Sequence, residues 1–141
     1  MTCIKENIHI GARKMKTILK KVRRCAYLDN KDYFDTETVR IKSSEISAKN
    51  IKETRLYKCI NRLTDRELRQ VVLLCMTGRE FSSYYGGANK IIRPIDYLEY
   101  FKEARAKLGA TREDDISFLI RYRLEILNYI DRVLKIVGED K

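Results

Sequence analysis

The sequence has little of what metal-binding and catalytic sites usually require. Its 141 residues include one histidine, His9, and no tryptophan, and the four cysteines (Cys3, Cys25, Cys59 and Cys75) show no C-x-x-C spacing. A structural zinc site needs four well-placed Cys or His ligands, so we expect none. Cys25 and Cys75 lie within apolar helical stretches, where a free thiol behaves as a small hydrophobic residue, and we interpret all four cysteines as reduced.

Three further absences restrict the class of protein that this sequence can encode. A single proline and six glycines argue against a disordered chain, and 141 residues suit one domain with a core of its own. No apolar run approaches the roughly 18 residues that a membrane span needs. The N-terminus lacks the apolar core of a signal peptide, so we expect a soluble cytoplasmic protein.

The formal charge of +10 is concentrated near the N-terminus. Residues 1–28 hold eight Lys or Arg and one Glu, whereas residues 29–141 hold 22 basic and 19 acidic residues. The excess of positive charge therefore belongs to one segment, and this asymmetry points to an anionic partner.

The basic segment has the spacing of an amphipathic helix over about residues 10–28. At 100° per residue its apolar side chains cover about a third of a turn, and the cations cover the rest. The apolar arc consists of Met15, Ile18, Leu19, Val22, Cys25 and Ala26. The seven cations, which we call the basic face, are Arg13, Lys14, Lys16, Lys20, Lys21, Arg23 and Arg24.

The rest of the chain also has helical spacing, so we predict an all-α fold. The pattern predicts a compact bundle of about five helices, with a basic N-terminal helix at 1–30, a linker at 31–47 and a helical body at 48–141. A helix is expected from about residue 47 to 63. A capping box at Thr64 and Glu67 is expected to begin a central core helix, which Gly78 would end.

The second half of the body begins with a predicted loop from Arg79 to Arg93. Pro94 is expected to open a helix that ends at Gly109. Thr111 should cap the last helical segment, with acids in its first turn. This segment is either one long helix or two helices with a break around residues 121–123. The inner stripe of the Pro94 helix would be Tyr97, Phe101, Ala104 and Leu108, with the head of Arg105 in water at the rim.

From about residue 48 onward the layout resembles a small helical bacterial domain family of unknown function. The matching features are Leu56 to Leu63, Glu67, Val71 to Leu74, Gly78-Arg79, Ala104, Phe118-Leu119, Leu124 and Tyr129-Ile130. The sequence departs from the family at Met76, where an aromatic residue is usual, and at Glu80, where a glycine is usual. The resemblance implies a helical body whose core helix ends in a Gly-Arg turn. It singles out Arg79, which is either a structural residue, as a helix-end cap or in a salt bridge, or a contact to a ligand or partner.

Residues 63–67, Leu-Thr-Asp-Arg-Glu, are also similar to the opening helix of bacterial response-regulator helix-turn-helix domains. In those domains a second helix follows at once, whereas this chain continues with Ser82-Ser83-Tyr84-Tyr85-Gly86-Gly87. Two glycines in a helix interior cost about 2 kcal/mol relative to alanine, so the pattern disfavours a helix-turn-helix.

No pattern in the sequence supports an enzyme or a cofactor site. His9 stands alone, so a pair of nucleophile and base would depend on one residue near the chain end. Residues 86–90 (GGANK) lack the spacing of a phosphate-binding loop. The acids Glu113, Asp114 and Asp115 suit the positive end of a helix rather than a metal. We therefore predict a non-enzymatic protein without a cofactor.

The leading functional hypothesis is that the basic face binds nucleic acid or a nucleoprotein complex. Seven phosphate contacts would produce a salt slope of roughly −6 on duplex DNA. Two alternatives for this face stay open. The face could be only the solvated side of a helix. It could also lie on an anionic membrane, although the absence of Trp and Phe from the apolar arc argues against this.

A second hypothesis is a small regulator or inhibitor, of the kind encoded by phages and mobile elements, that binds a protein partner. The loop after the core helix would supply the contacts. The residues expected there are Arg79, Tyr84, Tyr85 and Lys90.

Overall fold

A computed structural model describes residue 8 and residues 10–31, 51–83 and 94–137, and within these ranges the chain forms helices and no strand. The predicted all-α fold is thus confirmed. In chain order the elements are α1 (Ala12–Asp29), a 3₁₀ turn (Ile51–Glu53), α2 (Arg55–Asn61), α3 (Asp65–Ser83), α4 (Pro94–Leu108), α5 (Arg112–Arg121) and α6 (Ile126–Val137).

Most helix ends lie where local sequence places them. The Thr64 hydroxyl accepts from the Glu67 backbone N–H at 3.1 Å, and the Glu67 carboxylate accepts from the Thr64 backbone N–H at 2.9 Å. Thr111 and Asp114 form the same reciprocal pair at the start of α5. Gly109 has a φ of 65°, as a glycine that ends a helix commonly does. The capping box predicted at Thr64, the cap predicted at Thr111 and the predicted end of α4 are therefore confirmed.

The centre of the core is α3, which packs against α1, α4, α5 and α6. Its buried apolar side chains surround the helix axis rather than forming one stripe, as expected for a helix covered on all sides. They are Leu68, Val71, Val72, Leu73, Leu74 and Cys75.

The basic helix α1 is part of this core. Met15, Leu19, Val22 and Ala26 are completely buried, and α1 packs against α2 and α6. The Asp29 carboxylate, at the end of α1, accepts the backbone N–H groups that begin α2, at 2.9 and 2.7 Å. Most of the predicted linker 31–47 lies outside the described residues, so the division into 1–30, 31–47 and 48–141 stays a prediction.

Two predicted helix boundaries are wrong. The helix expected from residue 47 begins at Arg55, after the 3₁₀ turn. Gly78 does not end the core helix, since α3 continues to Ser83, and Arg79 therefore lies in a helix rather than in a loop. The reason for a glycine at 78 is proximity: a Cβ atom there would meet the Tyr129 carbonyl oxygen and lie 2.9 Å from the Val133 Cγ2 atom of α6.

Two side chains of α4 also differ from the prediction. Leu108, expected in the inner stripe, is 81% exposed, because it lies in the last turn, beyond the core. Arg105 does not keep its head in water. Its side chain is only 12% exposed and donates to the buried carboxylate of Asp115.

Candidate nucleic-acid interface

The apolar arc of α1 orients the basic face. Because four side chains of this arc are completely buried, the helix cannot rotate without exposing core surface. The opposite side must then face outward. Arg13, Lys20 and Arg24 lie on the outermost stripe, with Thr17 between them, and all four are exposed. At 1.5 Å per residue the stripe is about 16 Å long.

Two of the seven predicted cations are neutralised by carboxylates of the same molecule. Lys14 Nζ lies 3.2 Å from Glu67 Oε2. Arg23 donates two hydrogen bonds to Asp131 of α6, at 2.6 and 3.0 Å. The hydrogen bond from the Thr64 backbone and, after it, the bond from Lys14 lower the pKa of Glu67 below its ordinary value. Glu67 is therefore charged at neutral pH and opposes part of the field of α1.

The other five cations keep their charge available. Within the described part of the chain no carboxylate lies within ion-pair distance of them, and four are exposed while Lys16 is half-buried. A face with five uncompensated cations has a strong attraction for an anion. The five are Arg13, Lys16, Lys20, Lys21 and Arg24.

The positive surface extends from α1 onto the end of α2. A groove of about 300 Å³ lies between them, and its lining includes Lys21 and Arg62 as well as the ion pair of Lys14 and Glu67, so its cations exceed its carboxylates. Its floor is apolar and includes Ile18, Cys59 and Leu63. Arg62 is not among the residues predicted from the sequence. Its positive charge and exposure suit contact with an anion. The sequence around residue 62, however, does not indicate that the end of α2 lies beside α1.

The reactivity of two buried thiols, Cys59 beside the groove and Cys75 in α3, tests how the helices pack. Burial, followed by the nearby Cys25 thiol, raises the pKa of Cys59 to about 11, although Lys21 and Arg62 act in the opposite direction. Burial alone raises the pKa of Cys75 to about 12. Neither thiol is ionised at pH 8, and both are buried.

We therefore expect both cysteines to resist alkylation in the native state. A rise of two pKa units lowers the thiolate fraction about a hundredfold. Iodoacetamide at pH 8, followed by peptide mass spectrometry, should label Cys59 and Cys75 at least a hundredfold more slowly in native protein than in guanidinium. Equal rates in the two conditions would show that the α1–α2 contact and the core around α3 are not as described.

The second predicted site is only partly within the described residues. Tyr84, Tyr85 and Lys90 lie outside them. Arg79 is half-buried, with its guanidinium 3.6 Å from Glu80 and 5.4 Å from the centre of the Tyr122 ring. Because three of the four residues lie outside the described part of the chain, the role of this segment in binding a protein stays a prediction.

Other kinds of site have no support in the part of the chain that the structure describes. It contains no group of three His, Cys, Asp or Glu side chains suited to a metal ion. None of its helices is both long and apolar enough to cross a bilayer. Comparison with family models, with curated proteins and with solved structures gave no match to this chain. A functional assignment therefore depends on the geometry of the chain itself.

Proposed function

We propose that the protein binds the phosphate backbone of nucleic acid through the outer stripe and flanks of α1. The observation that carries the proposal is a helix face with five uncompensated cations, held outward by a completely buried opposite arc. A rigid array loses less conformational entropy on binding than mobile side chains on a free arm would lose.

The composition of this face favours backbone contacts over base recognition. All five uncompensated residues are Lys or Arg, and the only neutral side chain on the outer stripe, Thr17, donates its hydroxyl to the Arg13 carbonyl oxygen at 3.1 Å. Lys and Arg contacts to phosphate supply affinity and register without reading sequence. We therefore infer binding that depends strongly on salt and weakly on sequence, by a non-enzymatic protein.

The neutralised cations reduce the expected salt dependence. Five phosphate contacts predict a slope of log K against log[salt] of roughly −4.5 on duplex DNA, less steep than seven contacts would produce. If Arg62 also reaches a phosphate, the slope becomes about one unit steeper.

The test is a titration of a labelled duplex and a labelled single strand by fluorescence anisotropy, from about 50 to 200 mM salt, where phosphate contacts are strong. The variant is Lys20→Glu/Arg24→Glu, which reverses two neighbouring charges on the outer stripe. At about 50 mM salt each phosphate contact is worth roughly tenfold in affinity, so we expect a loss of about a hundredfold and a slope less steep by about 2.

The matched control is Lys52→Glu/Lys107→Glu, which makes the same change in net charge at two exposed positions outside α1. It should weaken binding only slightly. Circular dichroism should show unchanged helicity and thermal midpoint for both variants, because none of the four residues is buried. No binding by the native protein at about 50 mM salt, or an equal loss in both variants, would refute the proposal.

A further inference from the structure

The outward side of α4 carries two large apolar side chains that lie in water. Among the described residues, Tyr100 and Leu108 are the large hydrophobic residues that are exposed, at 64% and 81%. Such residues are common one at a time, but these two lie on the same helix, about two turns apart. The main helix contact of α4 is with α3, so the side of α4 that carries Tyr100 faces away from the bundle.

A pocket of about 410 Å³ lies beside the first half of α4. It is lined by three aromatic residues of this helix and by two carboxylates, namely Tyr97, Tyr100, Phe101, Glu80 and Asp96. The rings of Tyr100 and Phe101 meet edge to face, with their centres 5.1 Å apart, and form an apolar wall. The pocket therefore suits an aliphatic side chain from outside the bundle.

Leu108 is such a side chain, but it does not reach the pocket of its own chain. Eight residues separate it from Tyr100, which is about 12 Å along the helix axis. Tyr100, Ala104 and Leu108 follow one another at i, i+4 and i+8 and form one stripe along α4. The small side chain of Ala104 at its centre allows a second helix to approach closely. An antiparallel α4 from another copy, with the two Ala104 residues opposite each other, places each Leu108 beside the Tyr100 pocket of the other copy.

The charges beside this stripe favour the antiparallel arrangement. Glu103 and Lys107 are exposed, and among the described residues neither has an opposite charge within ion-pair distance. With the Ala104 residues opposite each other, Lys107 of one copy lies two residues, or about 3 Å along the axis, from the level of Glu103 of the other. A parallel pair would instead place like charges side by side, which is unfavourable.

We propose that the protein forms a symmetric dimer through α4, in which Leu108 of each copy fills the pocket beside Tyr100 of the other and Lys107 pairs with Glu103. Because both copies use the same surface, the contact closes on itself and forms dimers rather than longer chains. An interface built around one pair of helices is small, so the association is weak and reversible. It uses no residue of the basic face, and a dimer therefore presents two such faces.

The test is sedimentation velocity of the full chain, freed of nucleic acid, at protein concentrations up to the high micromolar range. We expect a reversible equilibrium between monomer and dimer and no larger species. Leu108→Glu should raise the dissociation constant about a hundredfold or more, because a carboxylate must lose its water in each of the two pockets. The variant should fold normally, since Leu108 is exposed in the monomer.

Ala106→Glu is the matched control. It makes the same change in charge in the same last turns of α4, at an exposed position outside the stripe. It should dimerise as the native protein does.

An exchange of charges tests the antiparallel register. Lys107→Glu and Glu103→Lys should each raise the dissociation constant about tenfold, because each variant places like charges together twice in its own dimer. An equimolar mixture of the two variants should recover most of the native affinity. In the mixed dimer both contacts again join a carboxylate and an ammonium group.

This proposal and the nucleic-acid proposal fail independently. Lys20→Glu/Arg24→Glu should dimerise normally, whereas Lys52→Glu/Lys107→Glu should dimerise about tenfold more weakly and still bind nucleic acid, since each chain has its own basic face. The dimer is refuted if the native protein stays monomeric at every concentration, or if Leu108→Glu and Ala106→Glu sediment alike. It is also refuted if the mixed charge variants associate no better than either alone.

Discussion

Replacing Asp115 with alanine is expected to lower the free energy of unfolding by about 3–5 kcal/mol, the usual effect of removing one partner from a buried ion pair. Asp115 is 1% exposed and accepts from Arg69 of α3 and Arg105 of α4. Its loss leaves two mostly buried guanidinium groups without a counter-charge. The measurement is urea unfolding followed by circular dichroism, with the slope against urea compared between variants to confirm two-state behaviour.

Glu113→Ala is the matched control for this prediction. Glu113 also lies in the first turn of α5, but it is exposed, and among the described residues no cation lies within ion-pair distance of it, so its expected contribution is that of the helix dipole. It should lower the free energy of unfolding by about 0.3–1 kcal/mol. If Asp115→Ala and Glu113→Ala had equal effects, Asp115 would be another acid at a helix start and would not join three helices.

The position of Asp115 at a helix start can be predicted from the sequence, whereas its ion pairs cannot. The local pattern correctly placed it in the first turn of a helix capped by Thr111, because caps depend on residues three or four positions apart. Its ion pairs join residues 46 and 10 positions away, and those distances depend on how α3, α4 and α5 pack. The prediction for Arg105 is wrong for the same reason, since a basic residue at the edge of a helical stripe is normally solvated.

The basic face likewise has features that local sequence predicts and features that depend on how the helices pack. Helical spacing in the sequence is sufficient to predict which side of α1 is apolar and which is charged, and both sides are as expected. Whether a given cation has a partner depends on Glu67 and Asp131, which lie on other helices. The contribution of Arg62 to the positive surface likewise depends on the packing of α2 beside α1. The sequence is therefore sufficient to predict the basic face, whereas the number of its uncompensated cations follows from tertiary structure.

Gly78 is the clearest case in which a residue type had two explanations. Glycine after an apolar helical run commonly marks a helix end, because it adopts positive φ without strain. Among the described residues, however, only Gly109 has positive φ. At Gly78 the absence of a side chain allows the backbone of α6 to approach α3 closely. A single sequence does not distinguish these explanations, because both require glycine.

Gly78→Leu is accordingly expected to lower the free energy of unfolding by about 3 kcal/mol or more, since any side chain at this position must displace the backbone of α6. Gly78→Ala is the more diagnostic change. In a solvated helix interior, replacing glycine with alanine raises the free energy of unfolding by about 1 kcal/mol. At position 78 we expect the opposite, a decrease of about 1–2 kcal/mol, because the new methyl group meets the backbone of α6.

Gly11→Ala is the control for both variants, because a Cβ atom there meets nothing within 4 Å. Because Gly11 is the N-cap of α1, where alanine is less favourable than glycine, the variant should lower the free energy of unfolding by about 0.5–1 kcal/mol. If Gly78→Ala instead raised the free energy of unfolding by about 1 kcal/mol, the α3–α6 contact would be looser than the structure shows.

The same contact positions α6, whose Asp131 neutralises Arg23 on the basic face. A Gly78→Ala variant that still folds should therefore bind nucleic acid at least as tightly as the native protein, because a displaced α6 leaves Arg23 free to contact phosphate.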